Sequence, residues 1–155
     1  GVKIELIIRG ICCLKVGIPH ISENISVRSI VGNFLEHARI FYFYNDGAEE
    51  LYMGSADWMP RNLDKRVEIV FPLKDEKIKQ QAKHILDIQL ADNLKAHILQ
   101  PDGSYEKIDK RGKKTLICAQ DYFCEEAVKN AKQPTDPVLD HVFIPAEAGV
   151  FSERD

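Results

Sequence analysis

Residues Arg39 to Asn45 read RIFYFYN, an apolar and aromatic run too short for a typical helix and suited to a buried strand. Asn45-Asp46-Gly47 follows, three residues that tolerate positive φ, and Leu51-Tyr52-Met53 resumes the apolar pattern before Gly54-Ser55. This spacing predicts a β-hairpin. The flanking sequence extends the same α/β alternation. Lys3 to Arg9 (KIELIIR) reads as a central strand, Ser26 to Ile30 as a short one, and Gly32 to Glu36 as a helical turn. Val67 to Phe71 is a strand stopped by Pro72. A strong helix then starts at Asp75-Glu76, with Ile78, Ala82, Ile85, Leu86, Ile88, Leu90 and Leu94 at approximately helical spacing. Ala96 to Leu99 and Tyr105 to Ile108 flank a Pro101–Ser104 turn. Thr115 to Lys132 reads as a terminal helix with Leu116, Ala119, Phe123 and Ala127 toward the core, broken by the prolines at 134 and 137.

The hairpin is surrounded by residues that carry chemistry. His37 stands just before its first strand, and Ser55, Asp57, Arg61 and Arg66 lie at or beyond the end of the second. An imidazole can accept or donate a proton near neutral pH. Arg39 offers a planar fork of donors to phosphate oxygens, Gly54 permits close backbone approach, and Ser55 adds a hydroxyl. Together these describe a cationic, hydrogen-bond-donating cup suited to a phosphoryl group. The same arginines also fit an ordinary solvated rim, paired with Glu36, Asp57, Asp64 and Glu68. Residue chemistry alone leaves both readings open. Arg9 stands at the carboxyl end of a strand, where ligand crevices of open α/β sheets lie, or else caps the sheet edge.

Composition removes several function classes. A net charge of −3 argues against general nucleic-acid affinity, so any anion site is a local concentration of Arg and Lys. One such concentration is KIDKRGKK (Lys107–Lys114), with five basic residues and one acidic, readable as a track for a polyanion or as a solubilising loop. No apolar run approaches membrane-spanning length and no signal-peptide pattern occurs. Cys12, Cys13, Cys118 and Cys124 show no zinc-type spacing and read as free, buried thiols. One domain accounts for residues 1–132, leaving 133–155 as a tail with apolar residues enough to pack on this domain or pair with another chain, or else disordered.

His37-x-Arg39 followed by Gly54-Ser55-Ala56-Asp57 resembles a variant of the H-x-K…G-S-x-N signature of the phospholipase D superfamily. IIRGICCL (Ile7–Leu14), SENISVRSIVGNFLEHARIFYF (Ser22–Phe43) and MGSADWMPRNLDKRVE (Met53–Glu68) resemble, more specifically, the C-terminal part of the long bacterial polyphosphate kinases. The likeness covers about the first two-thirds of the chain. It implies an α/β fold with a phospholipase D-like mixed sheet flanked by helices, the second of two such domains. It also implies reversible transfer of the terminal phosphate of ATP to polyphosphate through a phosphohistidine of the preceding domain. By the same resemblance His37 is the second active-site histidine and an ATP contact, Arg9 an ATP-phosphate ligand, and Arg66 a further basic residue linked to activity. Arg39 and Ser55 complete the phosphate-binding set. Mg2+ is expected mainly in the preceding domain, with no metal ligand here. The implied partners are ATP or ADP, inorganic polyphosphate, the preceding catalytic domain and further copies in a homo-oligomer, without nucleic acid. A cytoplasmic location follows, with membrane association of the full enzyme as an option.

Two departures from the signature stand out: its lysine is Arg39 and its asparagine is Asp57. The first keeps the charge; the second removes an amide that would orient a ring, which argues against phospholipase or nuclease chemistry. The chain opens Gly1-Val2-Lys3 without Met and offers no second histidine in a matching context, so it is expected to be a piece of a longer enzyme, silent by itself. The alternative is a non-catalytic anion-binding or oligomerisation module of the same fold.

Overall fold

The computed structural model describes residues 1–112 and 115–132. Its strands and helices follow in the order β1 (Ile4–Ile7), β2 (Ile25–Ile30), β3 (Ile40–Phe43), β4 (Glu50–Gly54), α1 (Pro60–Leu63), β5 (Val70–Pro72), α2 (Glu76–Ala91), β6 (Ala96–Leu99), β7 (Tyr105–Lys107) and α3 (Ala119–Ala131). The strands are divided between a sheet of order β1-β2-β6-β7 and a sheet of order β3-β4-β5. β1 runs parallel to β2, with Ile4 opposite Ile25 and Ile7 opposite Arg28, and the other pairs are antiparallel. The α/β class with mixed pairing and flanking helices therefore holds.

The predicted hairpin is β3-β4, with Ile40 opposite Met53 and Phe43 opposite Glu50. Its connection uses the expected turn chemistry, Asn45, Asp46 and Gly47 all taking positive φ. Gly54 serves the sheet itself. A Cβ there would lie 3.2 Å from the Ile69 carbonyl oxygen and from Val70 Cγ2, close enough that these neighbours would have to shift.

The core of the larger sheet is formed by Val16, Val27 and Leu99, with Leu6, Ile8, Cys12 and Ile25 packed against it. α2 is capped by Asp75, whose Oδ1 accepts from the N–H groups of Lys77 at 2.9 Å and Ile78 at 3.1 Å. Its other end is tied to the sheet by Arg28, whose Nη1 donates to the Leu90 carbonyl. Asp92, 1% exposed, then joins three elements. Oδ1 accepts from the backbone N–H of Leu94, Lys95 and Ala96 at 2.8–3.0 Å, and Oδ2 from that of Ala119 at 2.8 Å. Asn93 adds two bonds to the strand-like segment before α3, accepting from Ile117 N–H and donating to the Thr115 carbonyl.

Several expectations are corrected. Among the described residues β1 is an edge strand and β2 an interior one. Apolar residues on both faces of KIELIIR report what covers the faces and say nothing about neighbours along the sheet. Residues 32–36 form no helical turn, because their polar groups bond to side chains from α2 and α3. α3 begins at Ala119 rather than Thr115, since Asn93 holds 115–117 extended; Leu116 is 54% exposed and Ala127 is exposed as well. β5 begins at Val70 and includes Pro72, leaving Val67 almost wholly exposed. The thiols are free, but only Cys118 is buried; Cys13 and Cys124 are exposed. Burial pushes the Cys118 thiol above its ordinary range. The tail 133–155 lies outside the described residues.

Candidate functional site

Three segments distant in sequence deliver the site. Arg9 follows β1, His37 and Arg39 come just ahead of β3, and Asp57 lies between β4 and α1. Arg9 Nη2 lies 2.9 Å from both oxygens of Asp57, and its Nη1 donates to the Glu36 carbonyl at 2.8 Å. Arg39 Nε donates to Asp57 Oδ1 at 3.1 Å, and its Nη1 reaches the His37 ring at Nδ1, 3.3 Å away. Two guanidiniums thus converge on one carboxylate, with an imidazole beside the second. Asp57 is fixed in turn at its carbonyl, which accepts from the buried Asn62 amide at 3.2 Å.

The electrostatics follow from this arrangement. The hydrogen bond from Arg39 does most to hold the Asp57 carboxyl below its ordinary range; burial opposes it, and the charges of Arg39 and Arg9 add to the lowering. Two arginines and one ionised aspartate leave one net positive charge. Each guanidinium carries about five N–H donors, more than these contacts occupy. The cluster can therefore accept an anion while Asp57 keeps both cations oriented. An Arg39 N–H directed at His37 Nδ1 puts the proton of a neutral ring on Nε2, where it can be donated outward. The ring itself is exposed.

The remaining predicted residues are placed differently. The Ser55 hydroxyl donates to the Glu68 carboxylate and accepts from Ile69 N–H at 3.1 Å, so it ties the β4 end to the strand that follows. Arg66 is exposed and makes no ion pair among the described residues. Of the basic run, Arg111 bonds to Asp109 at 2.8 Å, while Lys113 and Lys114 lie outside the described residues. Two surface cavities, of about 520 and 250 Å³, are lined by the hairpin turn with α2 and by an aromatic shelf around Phe41 and Trp58. Neither contains Arg9, His37 or Arg39.

A divalent cation does not fit these residues. Both oxygens of Asp57 are taken by arginines, both oxygens of Glu36 by glutamine amides, and Glu68 by Ser55. No group of three or more metal-type ligands occurs among the described residues.

Asp57 pairs with Arg39, as the solvated-rim reading allowed, and with Arg9 as well. It does not replace a ring-orienting amide; it binds the arginines, and Arg39 touches the ring instead. The signal was available: Lys→Arg and Asn→Asp relative to the signature are charge-complementary changes, and they meet in space.

A model of the polyphosphate kinase C-terminal domain 2 family matches residues 1–120. The chain belongs to this family. Its relatives include a polyphosphate kinase of Lactiplantibacillus plantarum, 49% identical over 94% of this chain and 21% of that protein. A polyphosphate kinase of Pseudomonas aeruginosa is 55% identical over 72% of this chain and 16% of its own length. The crystal structure of polyphosphate kinase from Porphyromonas gingivalis superimposes with a TM-score of 0.77 at 38% identity, covering 83% of this chain and 20% of that one. The chain therefore spans about a fifth of the polyphosphate kinases it matches. The cluster of Arg9, His37, Arg39 and Asp57 falls wholly inside the family match. No helix among the described residues is long and apolar enough to cross a membrane.

Proposed function

We propose that this chain is the C-terminal catalytic part of an ATP:polyphosphate phosphotransferase acting in the cytoplasm. The convergence of Arg9 and Arg39 on Asp57, with His37 against Arg39, carries the reading. In the reaction the bond between the terminal phosphorus of ATP and its bridging oxygen breaks, and a phosphorus–nitrogen bond forms on a histidine outside this chain. ADP leaves. The terminal oxygen of polyphosphate then takes the phosphoryl group and frees that histidine, and every step reverses.

Little covalent chemistry falls to the protein in such a transfer; charge neutralisation and positioning dominate. Arg9 holds ATP phosphate, Arg39 and Arg66 supply further donors, and Ser55 would add its hydroxyl only by releasing Glu68. His37 Nε2–H faces the phosphoryl oxygens, as proton donor or electrostatic stabiliser opposite the phosphorylated histidine. Magnesium is held outside this chain, and the working enzyme is a homo-oligomer. The chain by itself, without the phosphohistidine, is inactive.

The test is a chimera in which this chain replaces the matching segment of the Lactiplantibacillus plantarum relative. Polyphosphate synthesis from ATP should appear in the chimera. His37→Ala and Arg9→Ala should each lower kcat by about 100- to 1000-fold, the usual cost of removing a donor aimed at developing charge. Parental turnover in both folded variants would show a non-catalytic module instead.

A further inference from the structure

The segment 31–39 carries His37, yet it contains no helix or strand before Ile40. Its shape is imposed from outside. Gln120, in the first turn of α3, donates from Nε2 to the Phe34 carbonyl at 2.8 Å and to Glu36 Oε1 at 2.7 Å, while its Oε1 accepts from Phe34 N–H at 3.0 Å. Gln89, on α2, donates to Glu36 Oε2 at 2.8 Å. Both glutamines are buried, 6% and 7% exposed. A third feature is independent of these bonds: a Cβ on Gly32 would lie 2.2 Å from Gln120 Oε1 and 2.6 Å from its Cδ. In this position the Gln120 amide fills the space that a side chain on residue 32 would need.

The amide geometry is over-determined. Phe34 N–H claims Gln120 Oε1, so Nε2 must face both the Phe34 carbonyl and Glu36. Glu36 then has to accept, and an ionised carboxylate offers two oxygens for the two glutamines. On the site side, the Glu36 carbonyl receives Arg9 Nη1, and the next residue is His37. One residue therefore joins the helices to the cation cluster.

We infer that Glu36, Gln120 and Gln89, with Gly32 as the clearance they need, form a clamp that positions His37 and Arg9 for phosphoryl transfer. These are positioning residues, acting through His37 and Arg9 without touching substrate. The inference rests on the reading of His37 as a working histidine, and one set of variants separates the two.

In the chimera, Gln120→Leu and Gly32→Ala should each lower kcat by about tenfold or more, since displacing a reacting group by about 1 Å costs on that scale. Glu36→Ala should do the same. Glu36→Gln should retain most activity, because it keeps one oxygen for Gln120 and turns its NH2 to Gln89, whose amide can reverse. Melting temperature is followed in parallel, with near-isosteric Gln120→Glu standing in if Gln120→Leu does not fold. In a His37→Ala background, Gln120→Leu should cost clearly less than it does with His37 present, because one of the two groups it positions is gone and only the effect through Arg9 is left. Folded Gln120→Leu or Gln120→Glu at parental kcat, with His37→Ala inactive, overturns the clamp and spares the site. Equal losses from Gln120→Leu with and without His37 also overturn it. His37→Ala at full turnover removes both readings together.

Discussion

Asp92 and Asp57 each sit where separate segments meet, and the contrast between them divides this fold into a frame and a working face. Asp92 is 1% exposed, and both its oxygens go to backbone N–H groups: three at the start of β6 and one at the start of α3. Asp57 keeps 29% of its side chain exposed, and both its oxygens go to arginine side chains. Backbone donors have no other use, so satisfying them completes a structure. Guanidiniums have donors to spare, so aligning them prepares a surface. A buried carboxylate that feeds the main chain is architecture, whereas a half-exposed one that gathers cations reads as a site.

The contrast breaks most visibly at Asp92. Asp92→Ala removes four acceptor contacts and leaves buried N–H groups unpaired. At about 1 kcal/mol net per hydrogen bond, the loss is about 4 kcal/mol, a large part of the stability of a small domain. Asp92→Asn keeps Oδ1 for the three β6-side donors and turns an NH2 against Ala119 N–H, so its cost should be intermediate, about 1–3 kcal/mol. Denaturant unfolding of the chain checks both values. A change under about 1 kcal/mol in Asp92→Ala would show that the junction relaxes onto water.

Asp57→Ala should behave oppositely. Stability changes little, because partly exposed ion pairs contribute about 1 kcal/mol or less. Activity in the chimera should fall about 100-fold as Arg9 and Arg39 lose their common anchor. Asp57→Asn combined with Arg39→Lys restores the superfamily signature and tests whether that pairing can replace the arginine–aspartate one. Recovery in the double variant beyond either single would show the two positions to be coupled.

Local rules made the hairpin legible, since turn residues and strand periodicity act over a few positions. The start of the α2 helix at Asp75-Glu76 was readable for the same reason. His37, Arg9 and Arg39 could be named as candidates from their types and motif, and Asp57 as a possible partner of Arg39, but not the pairing of Arg9 with Asp57. Arg9 finds Asp57 48 residues away, and Glu36 finds Gln120 84 residues away. Glutamine carries no chemistry that draws attention in a sequence, and its value here comes from burial and direction, which exist only after folding. The edge position of β1 was likewise invisible, because strand order is a property of the sheet. Leu116 misled because an apolar residue near a helix start looks like core, when Asn93 needed that segment extended.

The finest test of the contrast is the acid dependence of stability. Asp57 titrates below its ordinary value of 3.8, chiefly through the Arg39 hydrogen bond. A depressed folded-state value means that the unfolded chain takes up the proton first as pH falls. The stabilisation from Asp57 is thus fully present above about pH 4 and is lost as pH drops through the lower, folded value. Unfolding free energies measured from pH 6 down to pH 2 should therefore separate the parent from Asp57→Asn by about 1 kcal/mol or less at the upper end and converge toward the lower end. The matched Asp92→Asn series should stay displaced from the parent at pH 6 by more than the Asp57 pair, since it disturbs backbone donors that cannot find solvent. If the two substitutions gave the same displacement at pH 6, burial would have failed to distinguish the frame from the face.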